Sequence, residues 1–455
     1  MNQLKQVYES AGQGHVFHFW NELKSDECEL LLKQLSQIDP HHVNNVFEKS
    51  KTTSNIEKDH FKPPPSSSCI DQVIHDTQSL KSYLRLGMMA IKQGRVGVIV
   101  LAGGQGTRLG SPLPKGCFDF GLPSGKTLFQ LQAERIDRLQ FMSGGKVHWY
   151  IMTSSSTRDD TISFFKKKAY FGLEQDQIHF FQQANFPCLT TEGKIILETK
   201  YQVAMSPNGN GGMYAALTHG KVLEHMESVG IDLVHVYCVD NSLVKVADPI
   251  FIGSCIAQGS QLGIKTVKRI NPDEPVGLVC LRNGKIDMVE YTEVPKTVSH
   301  ERDHDTQSLV FDNANIANHF FTREFLQDVS HVQLGCHVAH KKIPCIDIET
   351  GKHVKPDTPN GIKLEQFIVD VFPMATTYTV YRVDRKQEFS PLKNKTGKDS
   401  IQTAMWDLLS LHCQYLNEAG VFNTGDVEVS PRLSYAGEGL FRYHGEMLVG
   451  PMTLG

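Results

Sequence analysis

Residues 96–115 constrain this chain more than any other stretch. The apolar run Val96-Gly97-Val98-Ile99-Val100 empties directly into Leu101-Ala102-Gly103-Gly104-Gln105-Gly106-Thr107-Arg108-Leu109-Gly110-Ser111-Pro112-Leu113-Pro114-Lys115. A short continuous apolar run reads as a strand buried on both faces, as in parallel sheets. Glycines at 103, 104 and 106 allow positive φ and close backbone approach to a ligand, so that several N–H groups face phosphate oxygens. Arg108 and Lys115 add positive charge. Together they outline a nucleotide phosphate site; the plainer alternative is a glycine-rich turn with two surface cations.

Two better-known glycine motifs do not fit. Gly121-Leu122-Pro123-Ser124-Gly125-Lys126-Thr127 has three residues where a Walker A loop has four between its first glycine and Gly-Lys-Ser/Thr, and Pro123 lacks an N–H. Gly104, Gly106 and Gly110 follow G-x-G-x-x-x-G, not the G-x-G-x-x-G of dinucleotide sites, and the two cations suit a triphosphate better than a nicotinamide.

The 455 residues admit about three domains, or one large α/β domain with smaller pieces. A formal net charge of -4 gives no general electrostatic case for nucleic acid or an anionic membrane. The ten cysteines include no C-x-x-C pair and several lie in strand-like runs, which fits thiols of a reducing, cytoplasmic compartment. No window approaches 18 apolar residues, so no signal peptide or membrane span is expected.

Apolar residues recur at helical spacing from Leu4 to about Lys49. Lys51 to Ser68, ending in Pro63-Pro64-Pro65-Ser66-Ser67-Ser68, reads as a linker or exposed loop, and Asp76 to Lys92 as a further helix. The N-terminal region is thus 1–94. From 95 to 390, strand-length runs (147–152, 233–239, 262–267) alternate with helical periodicity (128–139, 159–169, 250–257), which predicts a mostly parallel sheet covered on both faces. Arg282-Asn283-Gly284-Lys285 predicts a type I′ hairpin. Residues 391–455 are expected to end in a small, short β unit.

Ligands in such sheets bind beyond the strands' carboxyl ends. Asp240, closing the apolar run at 233–239, stands at that edge, either to hold Mg²⁺ against phosphates or to cap the next helix or form a turn. Asn208-Gly209-Asn210-Gly211-Gly212 is a second glycine cluster, suited to a flat polar group or an ordinary loop, and Gln183 offers an amide that could read a base edge. Lys363 and Lys393 alone would pass for solvent-facing lysines. The histidines at 41, 42, 337 and 340 lack a carboxylate or cysteine at metal-ligand spacing and read as structural or surface residues.

In order, Leu101–Gly110 with Pro114-Lys115-Gly116, Gly209-Asn210-Gly211-Gly212, His235–Asn241, Val289-Glu290-Tyr291, Asn315–Phe320, Pro359–Lys363, Phe389–Asn394 and Ser434–Gly439 resemble the eukaryotic-type UDP-N-acetylhexosamine pyrophosphorylases, from about residue 10 to 440. That resemblance implies a Rossmann-like, glycosyltransferase-A-like nucleotidyltransferase sheet with a helical N-terminal extension and a small C-terminal β unit. It implies UTP held by Leu101, Ala102, Gly103 and Gly104, with Arg108 and Lys115 at the phosphates. Gln183 and Gly209 would contact uracil, Asn210 the sugar, and Asp240 the sugar-phosphate region and Mg²⁺. Glu290, Tyr291, Asn315 and Phe367 would line the sugar pocket, with Lys363 and Lys393 reaching phosphates.

The implied reaction joins UTP to N-acetylglucosamine 1-phosphate or its galacto epimer, reversibly, in a monomer or homodimer without nucleic acid or membrane partners. A UDP-glucose or broad UDP-sugar enzyme is the alternative. A catalytically silent homologue is a further one, opposed by the presence of Arg108, Lys115 and Asp240. Two departures stand out: the stretch after Glu438 is short, and Val369 occupies a position where an aromatic is expected, which bears on hexosamine preference.

Overall fold

The computed structural model describes residues 1–51 and 59–455; part of the expected linker, 52–58, lies outside them. Within the described residues the chain divides into two compact units, Met1–Asn55 with Gln183–Met213 and Val332–Asp370, and Ile56–Gln182 with Tyr214–His331 and Val371–Gly455.

The larger unit is built on an eleven-stranded sheet. Its strands in chain order are β1 (Phe61–Lys62), β2 (Cys69–Asp71), β3 (Val96–Leu101), β4 (His148–Thr153), β5 (Ile178–Gln182), β6 (Leu233–Cys238), β7 (Leu262–Lys268), β8 (Leu278–Arg282), β9 (Lys285–Val289), β10 (Asn313–Thr322) and β11 (Tyr378–Val383). They lie in the order β2-β11-β7-β10-β6-β3-β4-β5, with β8 joined to β1, β9 and β10. β10 runs antiparallel to β6 and β7, while the other pairs along this path are parallel. The sheet is therefore mixed and mostly parallel, as the alternating pattern predicts. The stretch read as a linker is partly structured, since Phe61 and Lys62 pair with β8; just beyond it, Cys69–Asp71 form the sheet's edge.

All six residues of β3 are buried, the price of a place at the centre of a two-sided sheet. From β3 the chain runs outward through β4 and β5, then returns to β6 on β3's other side. The order thus reverses between β3 and β6, the point at which open α/β sheets form their ligand crevices. Asn283 and Gly284 both take positive φ, 53° and 82°, giving the expected two-residue turn between β8 and β9.

Helices α1 (Thr77–Lys92), α2 (Leu128–Ser143), α3 (Arg158–Lys167), α4 (Val222–Ser228) and α5 (Pro249–Ala257) cover the sheet. Phe129 of α2 and Phe165 of α3 pack their rings on Trp149 of β4, with centroids 6.1 and 5.4 Å apart. α1 and α5 approach so closely that side chains are excluded. A β-carbon on Gly87 would stand 1.9 Å from the Pro249 carbonyl oxygen, and one on Gly253 1.8 Å from that of Tyr83. The helix Ile401–Glu418 leads into the small C-terminal β unit, where Phe422–Thr424 pairs parallel with Met447–Val449 and Val427–Val429 with Met452–Leu454. No helix among the described residues is long and apolar enough to cross a membrane.

In the smaller unit, the helices Asn2–Ser10, Ser25–Leu35 and Pro40–Ser50 bury Tyr8, Leu31, Leu35, Val43 and Phe47 against Leu189, Leu197 and Leu364. Polar contacts reinforce this long-range packing: the Tyr8 hydroxyl donates to the Leu35 carbonyl at 2.9 Å, and Gln13 Nε2 to that of Gly193 at 2.8 Å.

Gly253→Ala should destabilise the protein by about 1–3 kcal/mol, because the α1–α5 contact has no room for a methyl group. Denaturant unfolding of the variant checks this; an unchanged midpoint would show that the two helices part at little cost.

Candidate functional site

The loop after β3 is a closed turn, not an open cradle. Gly106 N–H donates to the Leu113 carbonyl at 3.0 Å and Lys115 N–H to that of Gly104 at 3.1 Å, so residues 104–106 lie against 113–115. Ser154 Oγ donates to the Gly103 carbonyl at 2.8 Å and Ala102 N–H to that of Met152 at 2.9 Å, tying the turn to the end of β4. Of the loop's glycines only Gly110 takes positive φ, 79°; Gly103, Gly104 and Gly106 do not, which corrects that part of the sequence expectation. The need at Gly106 is space, since a β-carbon there would stand 2.7 Å from the Leu113 carbonyl oxygen. Arg108 is exposed on the short turn Thr107–Leu109.

Leu101 is in register with Cys238 of β6, which sets Asp240 beside this loop. Lys115 Nζ lies 3.1 Å from Asp240 Oδ2, with both side chains mostly buried. Asp240 is not a helix cap: the next helix, α5, is capped by Asp248, whose Oδ1 accepts from Ile250 N–H at 3.0 Å. The Asp240 carbonyl accepts from Leu392 N–H at 2.8 Å, bringing Lys393 to the same edge. Burial first, then the Asp240 carboxylate, pushes the Cys238 thiol up to about 12, opposed by the charges of Lys115 and Lys393, so all three charged groups act on one point.

A single carboxylate at a strand end fits Mg²⁺, which takes most of its ligands from phosphates and water. Among the described residues no group of three or more metal-ligating side chains gathers around Asp240.

The segment carrying Lys393 is anchored from beneath. Asn241 Nδ2 donates to the Glu388 carbonyl at 2.7 Å, and Asn241 Oδ1 accepts from Ser390 N–H at 3.0 Å. The Glu388 carboxylate bonds the fully buried ammonium of Lys265, which also lies 2.5 Å from Asp248 Oδ2. Burial alone would raise the Asp248 carboxyl; Lys265 and Lys245 outweigh it and hold Asp248 below its usual range.

Three further groupings account for the remaining candidates. Leu278 of β8 pairs with both Val289 and Ala314, so Glu290 and Asn315, each one residue on, flank Gly277; Asn315 N–H donates to its carbonyl at 2.9 Å. Tyr291 is half exposed beside Glu290. In the smaller unit, Gly209 takes φ 88° and Asn210 Oδ1 accepts from Ile368 N–H at 2.9 Å, so both adjoin Phe367. A β-carbon on Gly211 would stand 2.6 Å from the Phe367 carbonyl oxygen, which explains the second glycine cluster as close packing. Gln183 is buried and Lys363 half-buried on the strand Gly361–Glu365. Val369 is core, 4% exposed.

The Walker-like segment is structural. Ser124 N–H and Oγ both donate to the Glu428 carboxylate, at 2.8 and 2.7 Å, and Lys126 Nζ lies 2.8 Å from Glu134, so carboxylates hold the groups a phosphate would need. One neighbour escaped the sequence reading. Lys395 Nζ lies 3.8 Å from where a β-carbon on Gly110 would be, a signal visible only as a second lysine two residues after Lys393. His337, set aside as a structural or surface residue, stacks its ring on Phe367 with centroids 4.1 Å apart and bonds Asp370 Oδ1 at 2.9 Å.

Residues 40–426 match the family model described as UTP–glucose-1-phosphate uridylyltransferase. A Xenopus tropicalis protein named UDP-N-acetylhexosamine pyrophosphorylase-like protein 1 is 43% identical over 96% of this chain and 92% of its own length. The Saccharomyces cerevisiae UDP-N-acetylglucosamine pyrophosphorylase is 40% identical over 98% of both chains. The crystal structure of the Trypanosoma brucei uridine diphosphate N-acetylglucosamine pyrophosphorylase in complex with inhibitor matches with TM-score 0.84 and 30% identity, over 99% of this chain and 98% of that one.

Glu388→Gln should destabilise the fold by roughly 3–5 kcal/mol, since it leaves the Lys265 charge short of a buried partner. Chemical denaturation measures this, and a loss below about 1 kcal/mol would mean that Asp248 alone suffices.

Proposed function

This chain belongs to the UTP–glucose-1-phosphate uridylyltransferase family, and on that premise we propose that it transfers the uridylyl group of UTP to N-acetylglucosamine 1-phosphate, with its galacto epimer as a second substrate. The observation that carries this reading is the charged cluster of Lys115, Asp240 and Lys393 at the β3–β6 reversal point, in a chain about 40% identical to enzymes named for N-acetylglucosamine over nearly its whole length.

A phosphate oxygen of the sugar 1-phosphate attacks the α-phosphorus of UTP in line, the bond from that phosphorus to the β-phosphate's bridging oxygen breaks, and pyrophosphate leaves. The nucleophile is already ionised at neutral pH, so no general base is required. Catalysis rests on neutralising two anionic reactants and holding them in line. Arg108 and Lys115 serve the triphosphate and Lys393 the transferred group, while Leu101–Gly104 offer backbone contacts. Asp240 would hold Mg²⁺, which when bound neutralises phosphate charge. Glu290, Tyr291 and Asn315 line the sugar pocket. Gln183, Gly209, Asn210, Lys363 and Phe367 of the smaller unit keep the roles the family resemblance implies. Because one phosphoanhydride replaces another, the reaction runs in both directions. Ten free cysteines support a reducing, cytoplasmic setting.

Pyrophosphate release from UTP and Mg²⁺, with N-acetylglucosamine 1-phosphate, N-acetylgalactosamine 1-phosphate and glucose 1-phosphate in parallel, tests the assignment. The N-acetylated substrates should be preferred; preference for glucose 1-phosphate would overturn it. Arg108→Ala, at an exposed position, should lower turnover by about 10²–10³-fold with an unchanged unfolding curve. Near-normal turnover in that variant would remove Arg108 from the machinery.

A further inference from the structure

Away from the phosphate loop, three imidazoles converge on one face of the large sheet. Tyr150 of β4 is in register with His179 of β5, and His148 lies two residues before Tyr150, so all three side chains share a face. His225 of α4 covers that face: its Nδ1 lies 2.9 Å from the Tyr150 hydroxyl and its ring centroid 4.0 Å from that of His179. One ligand atom from each of His148, His179 and His225 lies within 4.8 Å of the others. His148 Nδ1 and His179 Nε2 are 3.2 Å apart, close to the spacing of about 3.3 Å for two nitrogens on a tetrahedral zinc ion.

An N–H···N bond accounts for that single distance but not for the third ring. We propose that His148, His179 and His225 form a Zn²⁺ site that clips β4, β5 and α4 together, with water in the fourth position. The donor set is the three-histidine type of zinc chemistry, and Tyr150 orients His225 through its second ring nitrogen. All three rings are half-buried. Burial foremost keeps each below its usual pKa, with His179 down to about 4, so the neutral, ligating form prevails. Nearby charges are mixed: Asp176 acts on His148 and His179, while Lys146, which opposes a cation, is paired to Asp176 and Glu174 at 2.8 and 2.6 Å. The site is distinct from Asp240. His148 is in register with Gly97, four residues before Leu101, about 13 Å back along the strand from the phosphate loop at 3.3 Å per residue.

The test is zinc titration of the full chain, stripped with chelator and assayed by calorimetry in excess Mg²⁺, with thermal melts alongside. One equivalent should bind and raise the Tm. Affinity should fall more than tenfold in His225→Gln and in His148→Gln, and about tenfold in Tyr150→Phe. His148→Gln, at the strand's first residue, serves if His225→Gln fails to fold, and uridylyl transfer with Mg²⁺ should persist in it. Bound Co²⁺ should show tetrahedral visible absorption without thiolate charge-transfer bands. No binding, or binding equal in the wild type and both histidine variants, as one of the ten thiols would give, overturns the proposal.

Discussion

The parallel pairing of β3 with β6 is the constraint on which the rest depends. Every residue of β3 is buried, so its register is set by packing on both faces, and a one-residue slip would exchange the side chains of the two faces and set a β-carbon where Gly97 leaves only 3.1 Å to Ile231. With Leu101 held opposite Cys238, the glycine loop and Asp240 emerge side by side, and the Lys115–Asp240 ion pair closes across them. The loop's own hydrogen bonds then fix its shape before any ligand arrives. Preorganisation of this kind is what charge-neutralising catalysis requires, since the charged groups already stand at the strand ends when a polyanion binds.

Beneath that edge lies a less economical arrangement. A fully buried lysine in β7 is tolerated only because Asp248 and Glu388 meet it, and such networks seldom stabilise more than apolar packing would. What this one accomplishes is placement. Asp248 also caps α5, and the Glu388 carbonyl holds Asn241, so one buried charge joins the middle of the sheet, a helix start and the segment bearing Lys393. The geometry of the cationic edge is thereby tied to the stability of the core.

Much of this was legible in sequence because its signals are local. The apolar run at 96–101, the helix at 77–92 and the Asn-Gly turn at 283–284 each carry their own periodicity or backbone requirement, and the structure bears them out. The mostly parallel sheet followed from the alternation of such runs. What depended on distant contacts was not legible. Nothing near Glu428 announces that its carboxylate fills the Walker-like loop, whereas the Asp248-Pro249 pair, an N-cap residue followed by proline at the first helical position, was a local signal for the α5 cap that the reading of Asp240 passed over. Of the two reasons for singling out Gly106, positive φ does not hold, and what the turn requires there is steric room. The roles of Lys363 and Lys393 came from family resemblance, because a lysine's own chemistry does not separate a phosphate ligand from a solvated side chain.

The central claim is that the ion-paired strand-end cluster acts as one unit in moving the uridylyl group. A double-mutant cycle on single-turnover transfer, using Lys115→Met, Asp240→Asn and the combined variant, addresses it most directly. Each single change should slow transfer by at least about a hundredfold, with the double variant no slower than the slower single. Multiplicative losses, or a near-normal rate in either single variant, would contradict the account.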